Sequence, residues 1–414
     1  MRRAALLLAL LLCLAALTGE AGPAQAASPK CEAMRGMLVR GGGSASGLVV
    51  YEEGRGTICT RAPNRPRSLA SNMKLFTTAT ALARLGPQHR IPTRLYTDGW
   101  VGLDGVLHGS LYLQGGGDPA LGSPAFYGRY LGGLGTNLFA LKTQVRAAGI
   151  ERVTGRLYAD DTVFDRLRGV ADSGYGTSPY IGPLSGLPFN LGYRDARASG
   201  FASDPARTGA AALARSLRGA GIALRAGIAL SPTPSDPTLL AAVRSPTIER
   251  LAEATNVPSN NFYAETLIKL LGARLGGAGT TAAGAAVVER FARSLGTSVQ
   301  AVDGSGLTRA NRARPWDVVR LLASMHGGEV ADEFIQGLPS TGLEGTVADR
   351  MEGTAAYGRC RTKTGTLTGV SALSGYCFNR SGRVMIFSIL MASVYDLGLA
   401  HREQDRIAAL VASY

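Results

Sequence analysis

In the stretch SASGLVVYEEGRGTICTRAPN, residues 44–64, apolar and polar positions alternate on either side of Glu53-Gly54-Arg55-Gly56. That pattern predicts two strands joined by a tight turn. LASNMKLFTTATALARLG, residues 69–86, then switches to a helical period, with a helix beginning near Ser71. From about 86 to 244 the texture becomes short strands separated by Gly, Pro and Asp turns, with helices near 137–149 and 205–219. Helical patterns return around 246–255 and 261–275. The chain closes with strands near 359–366, 370–378 and 383–393 and a helix from about 399 to 412. No internal repeat is evident. This order predicts an α+β domain assembled from both ends of the chain, residues 27–86 and 245–414, with a β-rich domain, 87–244, inserted between them.

The 414 residues are 45% hydrophobic and 18% charged, which excludes disordered and fibrous classes and allows more than one domain. Arg2 and Arg3, an apolar run from Ala4 to Leu17 and the A-x-A site Ala24-Gln25-Ala26 mark residues 1–26 as a secretory signal. The run is shorter than a bilayer span, which disfavours an anchor, and Leu12 before Cys13 disfavours a lipoprotein. The expected location is therefore extracytoplasmic or periplasmic. The net charge of +14 becomes +13 once Arg2, Arg3 and Glu20 are removed, two positive charges against one negative. In an exported protein such a balance suits peripheral contact with anionic envelope surfaces better than nucleic acid, and general solubility explains it equally well. His89, His108, His326 and His401 are scattered singly and no C-x-x-C occurs, so neither a metal nor any other cofactor is expected.

Ser71 and Lys74 carry the first chemistry. Three residues apart on a helix, their polar ends share a face. Lysine is scarce in this arginine-rich chain, standing only at 30, 74, 142, 269 and 363, and unlike arginine it can lose its proton. A lysine kept neutral by burial can take the proton of a nucleophilic serine. Alone, the spacing is equally explained by a helix cap beside a solvated lysine. Two further elements change that: Ser259-Asn260-Asn261 in VPSNNFYAETLIKLLG, and Lys363-Thr364-Gly365 on a strand. S-x-x-K, S-x-N and K-T-G in this order form the catalytic set of class A β-lactamases and penicillin-binding proteins.

With GGGDPAL (115–121), DGSGLTRANRARPWDVVRLL (303–322) and LPSTGLEGTVADR (338–350), the chain resembles the class C low-molecular-mass penicillin-binding proteins, the D-alanyl-D-alanine carboxypeptidase/endopeptidase family. The likeness covers nearly the whole mature chain. It departs from the family at Asn260, where aspartate is common, and in an insertion shorter than that of the larger members. The resemblance implies a penicillin-binding fold, an antiparallel sheet with helices on both faces. It further implies action on peptidoglycan stem peptides, with β-lactams as covalent inhibitors.

The same resemblance assigns roles. Ser71 attacks the carbonyl between two D-alanines, Lys74 is its base and Ser259 relays a proton to the leaving amine. Asn261 binds the peptide amide, and Lys363, Thr364 and Thr366 receive the terminal carboxylate. Gly365 lets the substrate approach the strand, and the N–H groups of Ser71 and Thr366 form an oxyanion hole. Asp161 and Arg309 are expected to hold the amine and carboxylate of the stem-peptide side chain. A β-lactamase or esterase on the same fold, or a silent envelope-binding scaffold, are the competing readings.

Four cysteines of the exported chain predict disulfides. Cys360 and Cys377 are equidistant from Thr368-Gly369, a turn signal, and should face each other across a hairpin; of the three connectivities this leaves Cys31 with Cys59.

Overall fold

The computed structural model describes residues 28–224, 227–379 and 381–414. The expected signal segment, with Cys13, lies outside the described residues. Helix α1 (Pro29–Gly42) opens the described chain and was not evident from the alternation of residue types. Its signals are local: Ser28 Oγ accepts the Cys31 N–H at 3.2 Å, Pro29 sits in the first turn, and Gly43 closes the end at φ 73°. The expected hairpin follows as β1 (Gly47–Glu52) and β2 (Gly56–Arg61), and then helix α2 (Met73–Leu85).

The middle of the chain forms β3 (Arg90–Thr97), β4 (Leu111–Gln114), β5 (Leu157–Asp160), α3 (Pro205–Gly219), β6 (Ile228–Leu230) and β7 (Thr238–Thr247). These strands make one sheet of order β6-β5-β4-β3-β7. Pairing is parallel from β6 to β4 and antiparallel from β4 to β7. Leu95, Leu113 and Ala159 of the sheet pack with Ala206, Ala210, Leu213 and Leu217 of α3 in a core of their own. Ile91, Phe164, Val170, Ile181 and Leu184 belong instead to the larger core that holds α2. The two parts thus share apolar contacts, and 87–244 is kept as the proposed extent of the insertion.

The chain continues through α4 (Ile248–Asn256), α5 (Asn261–Leu275), α6 (Pro315–His326), β8 (Cys360–Leu367), β9 (Val370–Phe378), β10 (Val384–Ala392) and α7 (Leu397–Ala412). A second sheet, of order β8-β9-β10-β1-β2 and antiparallel throughout, joins both ends of the chain. Strand alternation divides its faces. Leu48 and Val50 pack with α1 and α7, whereas Val49 turns to the core of α2, α5 and α6. The sheet is therefore helix-covered on both sides, the α+β penicillin-binding architecture expected from the sequence.

Both disulfides are present. Cys360 pairs with Cys377 across the β8–β9 ladder, whose turn holds Gly369 at φ 71°. Cys31 pairs with Cys59 and ties α1 to β2.

Candidate active site

Ser71 lies on the short 3-10 turn Ala70–Asn72 that feeds α2, one step before the α-helix proper. The turn is tight, with Ala70 at φ 45°. Two glycines hold it from outside. A Cβ on Gly365 would stand 2.9 Å from the Leu69 carbonyl and 3.0 Å from the Ser71 nitrogen, and one on Gly306 would overlap the Ala70 carbonyl. Bare backbone at both positions lets β8 and the 303–307 loop close on the serine. From behind, Asn72 Nδ2 donates to the Lys363 carbonyl at 2.9 Å and fixes α2 against β8.

Lys74 is fully buried beneath Ser71. Its Nζ is 3.0 Å from Ser71 Oγ, 2.7 Å from Asn261 Oδ1 and 2.7 Å from the Ser305 carbonyl. Burial brings the ammonium down from 10.5 to about 7, against the upward pull of Glu265 and Asp303. The neutral amine has two N–H donors and one lone pair. Asn261 and Ser305 take the donors, and the lone pair is left facing Ser71 Oγ.

Glu265, on α5, was not singled out from the sequence. Its Oε1 accepts the N–H groups of Gly304 and Ser305 at 3.1 and 2.7 Å, which aims the Ser305 carbonyl at Lys74. Burial, and then Asp303, push this carboxyl up to about 8. Asp303 braces the other end of the loop, accepting from Gly306 and Thr308 N–H at 2.7 and 2.9 Å. Its own carboxyl is also raised by burial.

Lys363 is fully buried and donates to Ser259 Oγ at 2.9 Å and to the Thr364 carbonyl at 3.0 Å. Burial, then the charge of Lys74, hold it well below its ordinary value. Ser259 adopts φ 60°, a left-handed conformation that costs a side-chain-bearing residue about 1 kcal/mol or more. Asn260 caps α5 by accepting the Tyr263 N–H at 3.1 Å, which explains a structural use for asparagine at this position.

These groups open onto a cleft of about 930 Å³. Ser71, Ser259, Asn261, Thr364, Gly365 and Thr366 all line it. Opposite them the inserted part contributes Asp172, Ser173 and Tyr180, and the Tyr180 carbonyl accepts from Asn261 Nδ2 at 3.0 Å. Thr346, Arg350 and His401, not singled out from the sequence, line the cleft as well.

The two side-chain-binding candidates fare differently. Arg309 is exposed and donates to the carbonyl of Thr368, a residue of the cleft wall. Asp161 is not brought to the cleft. It is 4% exposed, and its Oδ2 is taken by Arg168 at 3.1 Å and Ser185 Oγ at 3.0 Å. A buried carboxylate already neutralised in this way is a brace within the insertion and not an open acceptor for an amine.

Residues 40–198 and 192–414 match the model of the D-Ala-D-Ala carboxypeptidase 3 (S13) family. The D-alanyl-D-alanine carboxypeptidase of Actinomadura sp. (strain R39) is 31% identical over 90% of this chain and 82% of its own. Carboxypeptidase DacB of Mycolicibacterium smegmatis is 31% identical over 89% of this chain and 78% of its own. In fold, penicillin binding protein 4 of Haemophilus influenzae superposes with a TM-score of 0.78 at 19% identity, over 92% of this chain and 99% of that one.

Proposed function

We propose that this chain, a serine peptidase that belongs to the D-Ala-D-Ala carboxypeptidase 3 (S13) family, is exported and hydrolyses the terminal D-Ala-D-Ala bond of peptidoglycan stem peptides through an acyl-enzyme on Ser71. The observation that carries the reading is the contact of 3.0 Å between Ser71 Oγ and the buried Lys74 Nζ, whose two other neighbours are acceptors.

Neutral Lys74 takes the Ser71 proton as Oγ adds to the carbonyl carbon. The N–H groups of Ser71 and Thr366 receive the oxyanion, each such donor contributing about 3 kcal/mol. When the C–N bond breaks, the proton that Lys74 took from Ser71 passes to the departing D-alanine amine, relayed by the Ser259 hydroxyl, and Lys74 is neutral again. Lys363, with Thr364 and Thr366, receives the terminal carboxylate. Burial and the charge of Lys74 disfavour the ammonium form of Lys363, and the incoming negative charge favours it. Water then adds to the ester and restores the Ser71 hydroxyl. A β-lactam presents its strained amide at the same place and acylates Ser71 in the same way. Arg309 stands beside the wall that the stem-peptide side chain would meet, and its guanidinium suits a carboxylate there.

Incubation of the mature protein with purified muropeptides, followed by mass analysis, tests the reading. Loss of one alanine from pentapeptide chains marks carboxypeptidase action, and splitting of cross-linked dimers marks endopeptidase action. Unchanged muropeptides, from a protein that nonetheless binds them, would favour a silent scaffold.

A further inference from the structure

A second concave surface lies away from the Ser71 cleft. It has a volume of about 530 Å³ and is lined by Arg84, Arg90, Arg94, Arg244, Arg274 and His89. Among the described residues no acidic side chain lines it. None of the five arginines forms an ion pair among the described residues, although twelve lysine or arginine ion pairs occur elsewhere. Only Arg84 and Arg90 have side-chain hydrogen bonds, to Ser294 Oγ at 3.3 Å and to the Ser245 carbonyl at 2.9 Å.

The fold gathers these charges from three places. Arg90, Pro92 and Arg94 alternate onto the outer face of β3, and Arg244 on β7 is registered opposite Pro92, diagonal to both arginines. Arg84 and Arg274 come from the last turns of α2 and α5, the helices that carry Lys74 and Asn261 at their other ends. Cations in a last turn are favoured by the helix dipole, which accounts for each of those two singly. It does not account for five arginines lining one concavity with no carboxylate among its described lining residues. Such an arrangement repels itself until an anion enters.

Shape and spacing select the anion. Arg90 and Arg94 are four residues apart on a strand, about 13 Å along the backbone, so a ligand with several anions spaced along its length matches the row better than one small anion. A planar headgroup layer would meet the exposed rim but not Arg94, which is half-buried in the wall. A flexible chain with regularly repeated anions can follow the groove and offer each guanidinium fork two oxygens. Leu85, Pro92 and Leu239 give the groove an apolar lining that the carbon segments of such a chain can cover.

We infer that this groove binds a linear phosphodiester polymer of the cell envelope and so holds the enzyme on its matrix while the Ser71 cleft works on the stem peptides. The test uses fluorescent poly(glycerol phosphate) and the mature protein. Its variants are the cleft triple Arg94→Gln/Arg244→Gln/Arg274→Gln and a control triple, Arg129→Gln/Arg152→Gln/Arg218→Gln, which removes the same charge from exposed positions elsewhere. The cleft triple should bind the polymer at least about tenfold more weakly and flatten the log–log salt dependence by roughly two, whereas the control triple should stay within about twofold of wild type. Equal losses in the two triples would reduce the effect to net charge and overturn the site. So would binding to vesicles containing phosphatidylglycerol with none to the polymer. Should the triple fold poorly, Arg244→Gln alone should still lower affinity about threefold, and no change would count against the groove. Penicillin labelling of Ser71, measured on the same samples, should be unchanged, so failure here is separable from failure of the peptidase reading.

Discussion

Glu265 reaches Lys74 through a single residue: it accepts the Ser305 N–H at 2.7 Å, and the Ser305 carbonyl accepts from Lys74 Nζ at 2.7 Å. The acid therefore positions the base without touching it. Glu265→Gln keeps an oxygen for both backbone donors and should preserve acylation within about threefold. Glu265→Ala leaves two buried N–H groups unpaired, a cost of about 1–3 kcal/mol each, and should slow acylation by about 10- to 100-fold. The comparison is made by stopped-flow acylation with a chromogenic β-lactam. Equal behaviour of the two variants would remove the positioning role.

Ser71→Ala should abolish covalent labelling by a fluorescent penicillin. Lys74→Arg keeps the positive charge but cannot accept a proton, so labelling should slow by about a thousandfold while the thermal transition is retained. Near-normal labelling of the arginine variant would mean that the lysine supplies only potential.

Since burial sets Lys74 near pH 7, its reactive neutral form gains with rising pH. Acylation should climb about tenfold per pH unit below 7 and level off above it. The same shift affects stability. The unfolded chain binds the Lys74 proton up to 10.5 and the folded chain only up to about 7, so this residue makes the fold gain stability as pH rises between those values. Stopped-flow rates from pH 5 to 9 check the first expectation; a flat profile would contradict it.

Cys360 and Cys377 close a loop of sequence separation 17. Replacing both by serine should lower unfolding free energy by about 3 kcal/mol through the freed unfolded chain, read by urea titration under non-reducing conditions. A loss below about 1 kcal/mol would show that the ladder alone holds the hairpin.

Arg309→Ala should reduce kcat/KM by about 10- to 100-fold with a peptide whose side chain ends in a carboxylate, as diaminopimelate does. Penicillin acylation, which lacks that group, should change less than threefold. Equal losses would reduce Arg309 to a support for the Thr368 turn.

That the three motifs meet at one cleft was legible because each is local: Ser71 and Lys74 are fixed by one helical turn, and Lys363 by strand alternation. The β8–β9 hairpin was legible from its turn and its equidistant cysteines. What surrounds Lys74 was not. Its Ser305 partner is 231 residues away, and a glutamate within α5 reads locally as an ordinary helix former. Asp161 misled for a related reason, since its neutralising Arg168 lies seven residues on, across a turn whose shape no periodicity gives. The groove arginines fail differently. Each sits where arginine is unremarkable, and only the pairing of β3 with β7 and the approach of the last turns of α2 and α5 bring them together.

The left-handed backbone of Ser259 sets what this position can become. Glycine has no penalty at φ 60°, so Ser259→Gly deletes the hydroxyl proposed as the relay and relieves the backbone in one substitution. That relief is set against Lys363 Nζ, which loses its Oγ acceptor at 2.9 Å, so the cost of the strained backbone is offset by the bond that serine presents to the buried lysine.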